Sequence, residues 1–295
     1  MVKSARSRED PAAEVDILTA PEGSTTRTRR RLLIWVRVNS YRFIIIAFFL
    51  VLWVLASRSL GHFWVSSPLL TWQSLWALIT SGDALLHIRI TLFEALSGYV
   101  AGGLLGLIFA FAISRFENLA EALDPFLMTI YGIPKITLAP LFILWFGIGL
   151  LSKIYLAGLL AFFIVFFNTY AGIRGVDVEL TKVARVMGAT PWQVERTVVL
   201  PSCVPYVIAG LKVALPYALT AAIVGEFIAS DKGIGYLIMD ASGQYDTSGV
   251  FAGVVLIAVI IMLINEILKT SERRLLKWRP QEERGTTRVE DREVL

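Results

Sequence analysis

Charge is scarce in this sequence. Only 18% of its 295 residues are charged while 56% are hydrophobic, and a soluble domain carries roughly a quarter charged residues, so water is excluded as the solvent for most of the chain. Cysteine and histidine are scarcer still. The lone Cys203 rules out an internal disulfide, and His62 and His87 stand too far apart to build a Cys/His metal cluster, which argues against a metalloenzyme. Neither a histidine pair nor a Ser/His constellation can be placed, so an intramembrane enzyme would lack its nucleophile. No lysine follows a glycine, so the Gly-Lys-Ser/Thr end of a phosphate-cradling loop cannot be written anywhere. Any work must draw on a partner or an ion gradient. No small-residue cleavage pattern follows the first apolar run, so the Arg-rich start reads as an uncleaved tail and not as a signal peptide.

What the sequence has instead is a series of unbroken apolar runs, and runs of about 18 or more residues read as membrane-spanning helices. They fall near 42–60, 90–114, 125–146, 154–173, 205–229 and 249–268. The expected fold is all-α: an integral membrane domain of about six transmembrane helices over 42–270, flanked by tails at 1–41 and 271–295. Residues 1–28 hold few large apolar side chains and are expected to be disordered. The stretch 63–80 starts a helix at Ser67-Pro68 and carries Trp64, Trp72 and Trp76. It reads as a helix lying along the membrane surface, and less readily as a seventh span, because Ser66, Ser67, Thr71, Gln73 and Ser74 interrupt it.

Within the second run Gly98, Gly102 and Gly106, continued by Ala95 and Ala110, form a small-residue stripe of the kind that lets helix backbones approach in lipid, and packing is its expected role. The third run is interrupted by Pro134-Lys135 and Pro140, and proline costs a helix interior roughly 3 kcal/mol, so this span is predicted to be broken. Lysine and arginine give the orientation. Assigning both tails, the second-to-third connection and the long fourth-to-fifth loop to one side places 22 basic residues there, against 4 opposite: Arg58, Arg89, Lys153 and Lys232. The excess predicts both termini in the cytoplasm. It also absorbs the net charge of +4, leaving no basic domain for nucleic acid.

The loop at 174–202 is amphipathic, neither apolar enough to span nor polar enough to be disordered. Asp177 can cap a helix with Leu180, Val183, Ala184 and Met187 on one face, and Gly188 stands where such a helix ends. Thr190-Pro191-Trp192-Gln193 then fits a capping box with proline at the first helical position. Two short helices joined at a glycine are predicted, either lying on the membrane surface or inserting into a partner as a lever.

Spacing favours the lever. Gly188 followed after nine residues by Val198-Val199-Leu200-Pro201 resembles the EAA signature of ATP-binding cassette (ABC) importer permeases, although the name-giving Glu-Ala-Ala is here Lys182-Val183-Ala184, with Glu179 one turn upstream. Further pieces resemble the taurine, sulfonate and nitrate permease group: Thr91-Leu92, Gly98-Tyr99, Asp124-Pro125, Ile133-Pro134, Leu138-Ala139-Pro140-Leu141, Leu144 to Gly149, Ser152-Lys153, Asn168-Thr169-Tyr170 and Gly235-Tyr236. The resemblance implies a homodimer in the bacterial inner membrane, in contact with lipid and not with nucleic acid. It implies a cytoplasmic ABC ATPase dimer holding the EAA loop, and an extracytoplasmic solute-binding protein delivering substrate. It also implies that ATP and Mg are bound on the partner, with no cofactor and no catalytic or metal-binding residue in this chain. The coupling residues it points to are Lys182, Ala184, Met187, Gly188, Ala189, Trp192, Leu200 and Pro201.

Polar residues at membrane depth are the default candidates for a translocation pathway: Lys135, Asn168, Glu94 and Glu226, with Lys212 beside them. Lys135 is read chiefly as satisfying carbonyls at the proline break, Asn168 as an interhelical hydrogen-bond donor, and Lys212 and Glu226 as lying near interfaces or pairing across helices. Sulfonate-type members usually have a basic residue where this chain has Glu94. Ile133-Pro134-Lys135 and Gly225-Glu226-Phe227 resemble more nearly the permeases for thiamine pyrimidine precursors, riboflavin or aromatic compounds. The expected cargo is a small polar organic solute or oxyanion. The competing class, an ion-coupled secondary carrier, would need paired membrane-embedded carboxylates and usually two related halves of broken helices, and no second half resembles the first.

Overall fold

The computed structural model describes residues 24–275, and every regular element among them is helical. Helix α1 (Ser24–Leu60) contains neither glycine nor proline and ends at Gly61, whose φ of +86° halts it. With no breaker between the Arg-rich stretch and the apolar run, the helix begins well before residue 42, and its part long and apolar enough to cross a bilayer is Val36–Leu60. Residues 1–23, most of the segment expected to be disordered, lie outside the described residues, as does the tail beyond 275. Helix α1 forms one unit, and the remaining helices form a second.

The second unit opens with α2 (Pro68–Ser81). Ser67 accepts a hydrogen bond from Leu70 N–H at 3.2 Å, Pro68 occupies the first turn, and Gly82 at φ +84° closes the end. Its 14 residues rise about 21 Å, short of the roughly 30 Å hydrocarbon core, so it is no seventh span. Trp64, Trp72 and Trp76 are exposed. Ser66 and Thr71, which made a span unattractive, turn inward and join Ser248 through bonds of 3.1 and 2.9 Å.

Three long helices make the centre: α3 (Asp83–Ser114), α6 (Leu150–Arg174) and α9 (Leu200–Ile228). The small-residue stripe of α3 meets α6 backbone to backbone. A Cβ at Gly102 would overlap the Gly158 carbonyl, and one at Gly106 would overlap the Phe162 carbonyl. Ala157, Ala161, Ala214, Ala218 and Ala221 carry the same close approach on to α9, around Leu156 and Val165. With no hydrophobic drive between helices in lipid, close packing of small residues is what holds such a seam.

Between α3 and α6 the chain makes a broken span. Helix α4 (Glu117–Gly132) and helix α5 (Ala139–Phe146) are bent by 79° about Ile133-Pro134 and a single 3₁₀ turn, Lys135–Leu138. Ile133 is extended, as a residue before proline must be. Lys135 Nζ donates to the carbonyls of Ile130, Tyr131 and Ile133, answering the acceptors that the break sets free. After α6 come two short helices, α7 (Val178–Val186) and α8 (Pro191–Val194), which lead through a π turn, Glu195–Val199, into α9. The proline at 201 has no N–H, and the bond just before it runs five residues back, from Leu200 N–H to Glu195 O. Helix α10 (Ile234–Gly243) and helix α11 (Thr247–Leu275) finish the bundle, packing Ile234, Ile238, Ala252, Leu256 and Ile260 against Leu219, Ala222 and Ile223 of α9. Among the described residues five helices are long and apolar enough to cross a membrane, and the bent pair α4 and α5 makes six if counted as one span.

Candidate functional site

The loop singled out by its spacing is a helix pair fixed by local chemistry. Asp177 caps α7, accepting from Glu179 N–H at 2.8 Å. Its other end is a Schellman turn: Gly188, at φ +86°, donates to Arg185 O at 2.9 Å while Ala189 N–H reaches Ala184 O at 3.0 Å. Two residues later α8 begins with a reciprocal box, Thr190 N–H to Gln193 Oε1 at 2.7 Å and Gln193 N–H to Thr190 Oγ1 at 3.4 Å. One helix therefore stops and the next starts within Met187–Pro191, and the predicted caps are all present.

The side chains of this pair turn away from their own chain. Leu180, Val183, Met187 and Trp192 are exposed, Val186 and Met187 by 88 and 82%, and Lys182 and Gly188 are exposed with them. Ala184 and Ala189 are half-buried, Pro201 is exposed, Leu200 is 37% exposed, and Val194 alone in α8 is buried. The Arg115 guanidinium lies 5.9 Å from the Trp192 ring, tying α8 to the end of α3.

At the opposite end of α9 lies a polar cluster that the sequence only half revealed. Glu94, from α3, is wholly buried and pairs with Lys153 of α6 at 3.5 Å. It stands within electrostatic reach of Glu226 of α9 as well. Lys153, 3% exposed, is thus no surface charge and drops out of the orientation count, leaving Arg58, Arg89 and Lys232. Glu226 accepts from Thr91 Oγ1 and from Gly235 N–H, both at 2.6 Å. Thr91, His87 and Lys153 were missed as members of this site. Positions 87, 91, 94, 98, 102 and 106 recur at three- and four-residue steps, so His87, Thr91 and Glu94 continue the glycine stripe and share its inward face.

The remaining polar candidates lie elsewhere. Lys135 packs over the rings of Tyr131 and Phe163 at 4.7 and 4.8 Å, ten positions along α6 from Lys153 and hence about 15 Å away along the helix axis. Asn168 corrects its expectation. Its amide donates to Ile164 O of its own helix at 2.8 Å, one turn back, because the partly buried side chain has that carbonyl within reach. Lys212 pairs across helices with Glu272 at 2.7 Å. Among the described residues no His, Cys, Asp and Glu come together as a metal site.

Comparison with known proteins decides the class. The family of the binding-protein-dependent transport system inner membrane component matches residues 102–277. The chain belongs to this family. The permease is 40% identical over 202 residues to the putative aliphatic sulfonates transport permease protein SsuC of Bacillus subtilis, covering 68% of this chain and 73% of that one. It is 34% identical over 231 residues to the riboflavin transport system permease protein RibX of Chloroflexus aurantiacus, covering 78 and 86%. With the formylaminopyrimidine transport permease protein ThiX of Halalkalibacterium halodurans it shares 31% over 236 residues, covering 79 and 93%. Among solved structures, an amino acid ABC transporter matches with TM-score 0.56 and 19% identity, over 68% of the permease and 97% of that chain. The MetNI methionine ABC transporter matches with TM-score 0.53, 21% identity and 68 and 96% coverage, which shows a shared fold. The permease is a multi-pass protein of the bacterial inner membrane and the transport subunit of an ABC importer, not its enzyme. The ion-coupled carrier reading is left without support.

Proposed function

We propose that the permease works as one of two identical subunits, with both termini in the cytoplasm, and that a cytoplasmic ABC ATPase dimer carrying ATP and Mg grips α7 and α8. The observation that carries this reading is the exposed apolar side chains of Leu180, Val183, Met187 and Trp192 on two tightly capped helices between α6 and α9. Exposed apolar side chains gathered in one place mark a contact surface. Closure of the ATPases draws the two loops together, and α9, which follows α8 without a break other than the π turn, passes the movement into the bundle, alternating access from one side of the membrane to the other.

An extracytoplasmic binding protein delivers the cargo, a small polar organic solute or oxyanion. The relatives' names support this class: aliphatic sulfonates, riboflavin and formylaminopyrimidine. Lipid surrounds the exposed apolar residues of the spans.

Gly188 is the bend. Its positive φ is one that a β-branched side chain resists, though open space surrounds the position. Gly188→Val is expected to insert and to pair with its second copy normally while losing transport and the ATPase activity that the binding protein stimulates. Proteoliposomes holding the variant, the ATPase and the binding protein provide the measurement. Stimulated hydrolysis at the native rate would refute the assignment.

A further inference from the structure

The first amides of a helix find no carbonyl within it. In α2, α7 and α8 the chain supplies its own answer through Ser67, Asp177 and Thr190. Helix α10 is answered from elsewhere. Gly233 N–H donates to His87 Nδ1 at 2.9 Å, Ile234 N–H to Thr91 Oγ1 at 2.9 Å, and Gly235 N–H to Glu226 Oε2 at 2.6 Å. The Thr91 hydroxyl in turn donates to Glu226 Oε1 at 2.6 Å, so α3 and α9 hold the start of α10 through a single closed network.

The other arm of the turn is held too. Lys153 Nζ, already paired with Glu94, donates to Ser230 Oγ at 2.7 Å, and that hydroxyl donates to Lys232 O at 2.6 Å. His87 stacks on Tyr236 with ring centroids 5.9 Å apart. The fit leaves no slack, since a Cβ on Gly233 or Gly235 would strike the Glu226 side chain. Thr91, Glu94 and Glu226 are 0, 0 and 1% exposed, so no water can take over these bonds.

Helix α9 has 29 residues and is about 44 Å long, with α7 and α8 at one end and this network at the other. We propose that Thr91 and Glu226 are positioning residues for transport: by locking the start of α10 to α3 and α9, they make α10 the far end of the lever, so that a displacement of α7 and α8 arrives at the opposite end of the bundle undiminished. A cap supplied by α10 itself would satisfy the same amides and leave the helix free to lag behind α9. The exposed side of α10, with Met239, Asp240 and Ser242, is what such a movement would present or withdraw.

The inference rests on the coupling role of α7 and α8, and one experiment separates the two. In a Cys203→Ala background, spin labels at Val178→Cys, exposed at the start of α7 and outside the proposed contact face, and, separately, at Met239→Cys on α10 report the distance between the two copies in the complex with its ATPase. Distances are read with and without ATP and Mg. In the native network both distances change with nucleotide. Thr91→Val, nearly equal in volume but without the hydroxyl, is expected to leave the Val178 change intact and to abolish most of the Met239 change, and Thr91→Ser to restore it. Glu226→Gln, which keeps the shape but offers one acceptor oxygen where two are used, gives an intermediate loss and serves if Thr91→Val does not assemble. A Met239 change as large in Thr91→Val, or in Glu226→Gln, as in the native chain overturns the inference. If the Val178 distance does not respond to nucleotide, or no distance between copies is seen, the coupling reading itself falls.

Discussion

The seam between α3 and α6 and the helix pair α7–α8 are built in opposite ways. The seam's local signature is a stripe of small residues that does not name its partner: its stability lies in backbones brought together by Gly98, Gly102, Gly106 and Gly158, residues that are poor helix formers on their own. The pair is the reverse. Every bend and end is written within a few residues, by Asp177, Gly188, Thr190 and Gln193, yet its apolar side chains touch little of their own chain. The seam is specified by its neighbours, whereas the pair, which on the proposed reading moves as a unit against a partner, is specified by itself.

That contrast can be broken most severely in the seam. Gly102→Leu forces a side chain into the Gly158 backbone and is expected to destabilise beyond the roughly 1–3 kcal/mol of ordinary overpacking and by more than the ~3–5 kcal/mol of a broken buried ion pair. Loss of monodisperse protein in detergent is the readout, and normal melting would show that the helices can part. Next in size is Lys153→Met, which strands buried Glu94 at a cost of about 3–5 kcal/mol without touching the backbone contact. Adding Glu94→Leu is expected to recover most of the lost melting temperature, and failure to recover would mean that the pair does more than neutralise charge. The smallest effect on folding belongs to Met187→Ser in the loop. Stability should stay within about 0.5 kcal/mol while affinity for the ATPase, titrated in detergent, weakens by more than about 1 kcal/mol. Unchanged affinity would move the contact surface elsewhere.

How much of this could be read beforehand follows the same division. The spans were legible because lipid demands long apolar runs, and the broken span because Pro134 cannot continue a helix. The caps of α7 and α8 were legible because capping is a matter of neighbours in sequence. The polar cluster was not: Thr91 meets Glu226 across 135 positions and Ile234 across 143, distances over which one sequence carries no pairing signal. Lys153 misled for a related reason, since a lysine near a helix end reads as facing water until the carboxylate opposite it is known. Asn168 turned to the Ile164 carbonyl of its own helix, one turn back, while its Cβ packs against Gly210. The π turn escaped notice because the missing N–H of Pro201 permits several adjustments, and packing chooses among them.

The glycine seam also bears on how the protein is made. Helix α3 leaves the ribosome before α6, and residues 115–149 come between them. At roughly 5–20 residues per second, α3 waits for seconds in the bilayer with Glu94 and its bare backbone stripe uncovered. Until Lys153 and Gly158 emerge that face has no partner within its own chain, so the half-made chain is the form most open to mispairing.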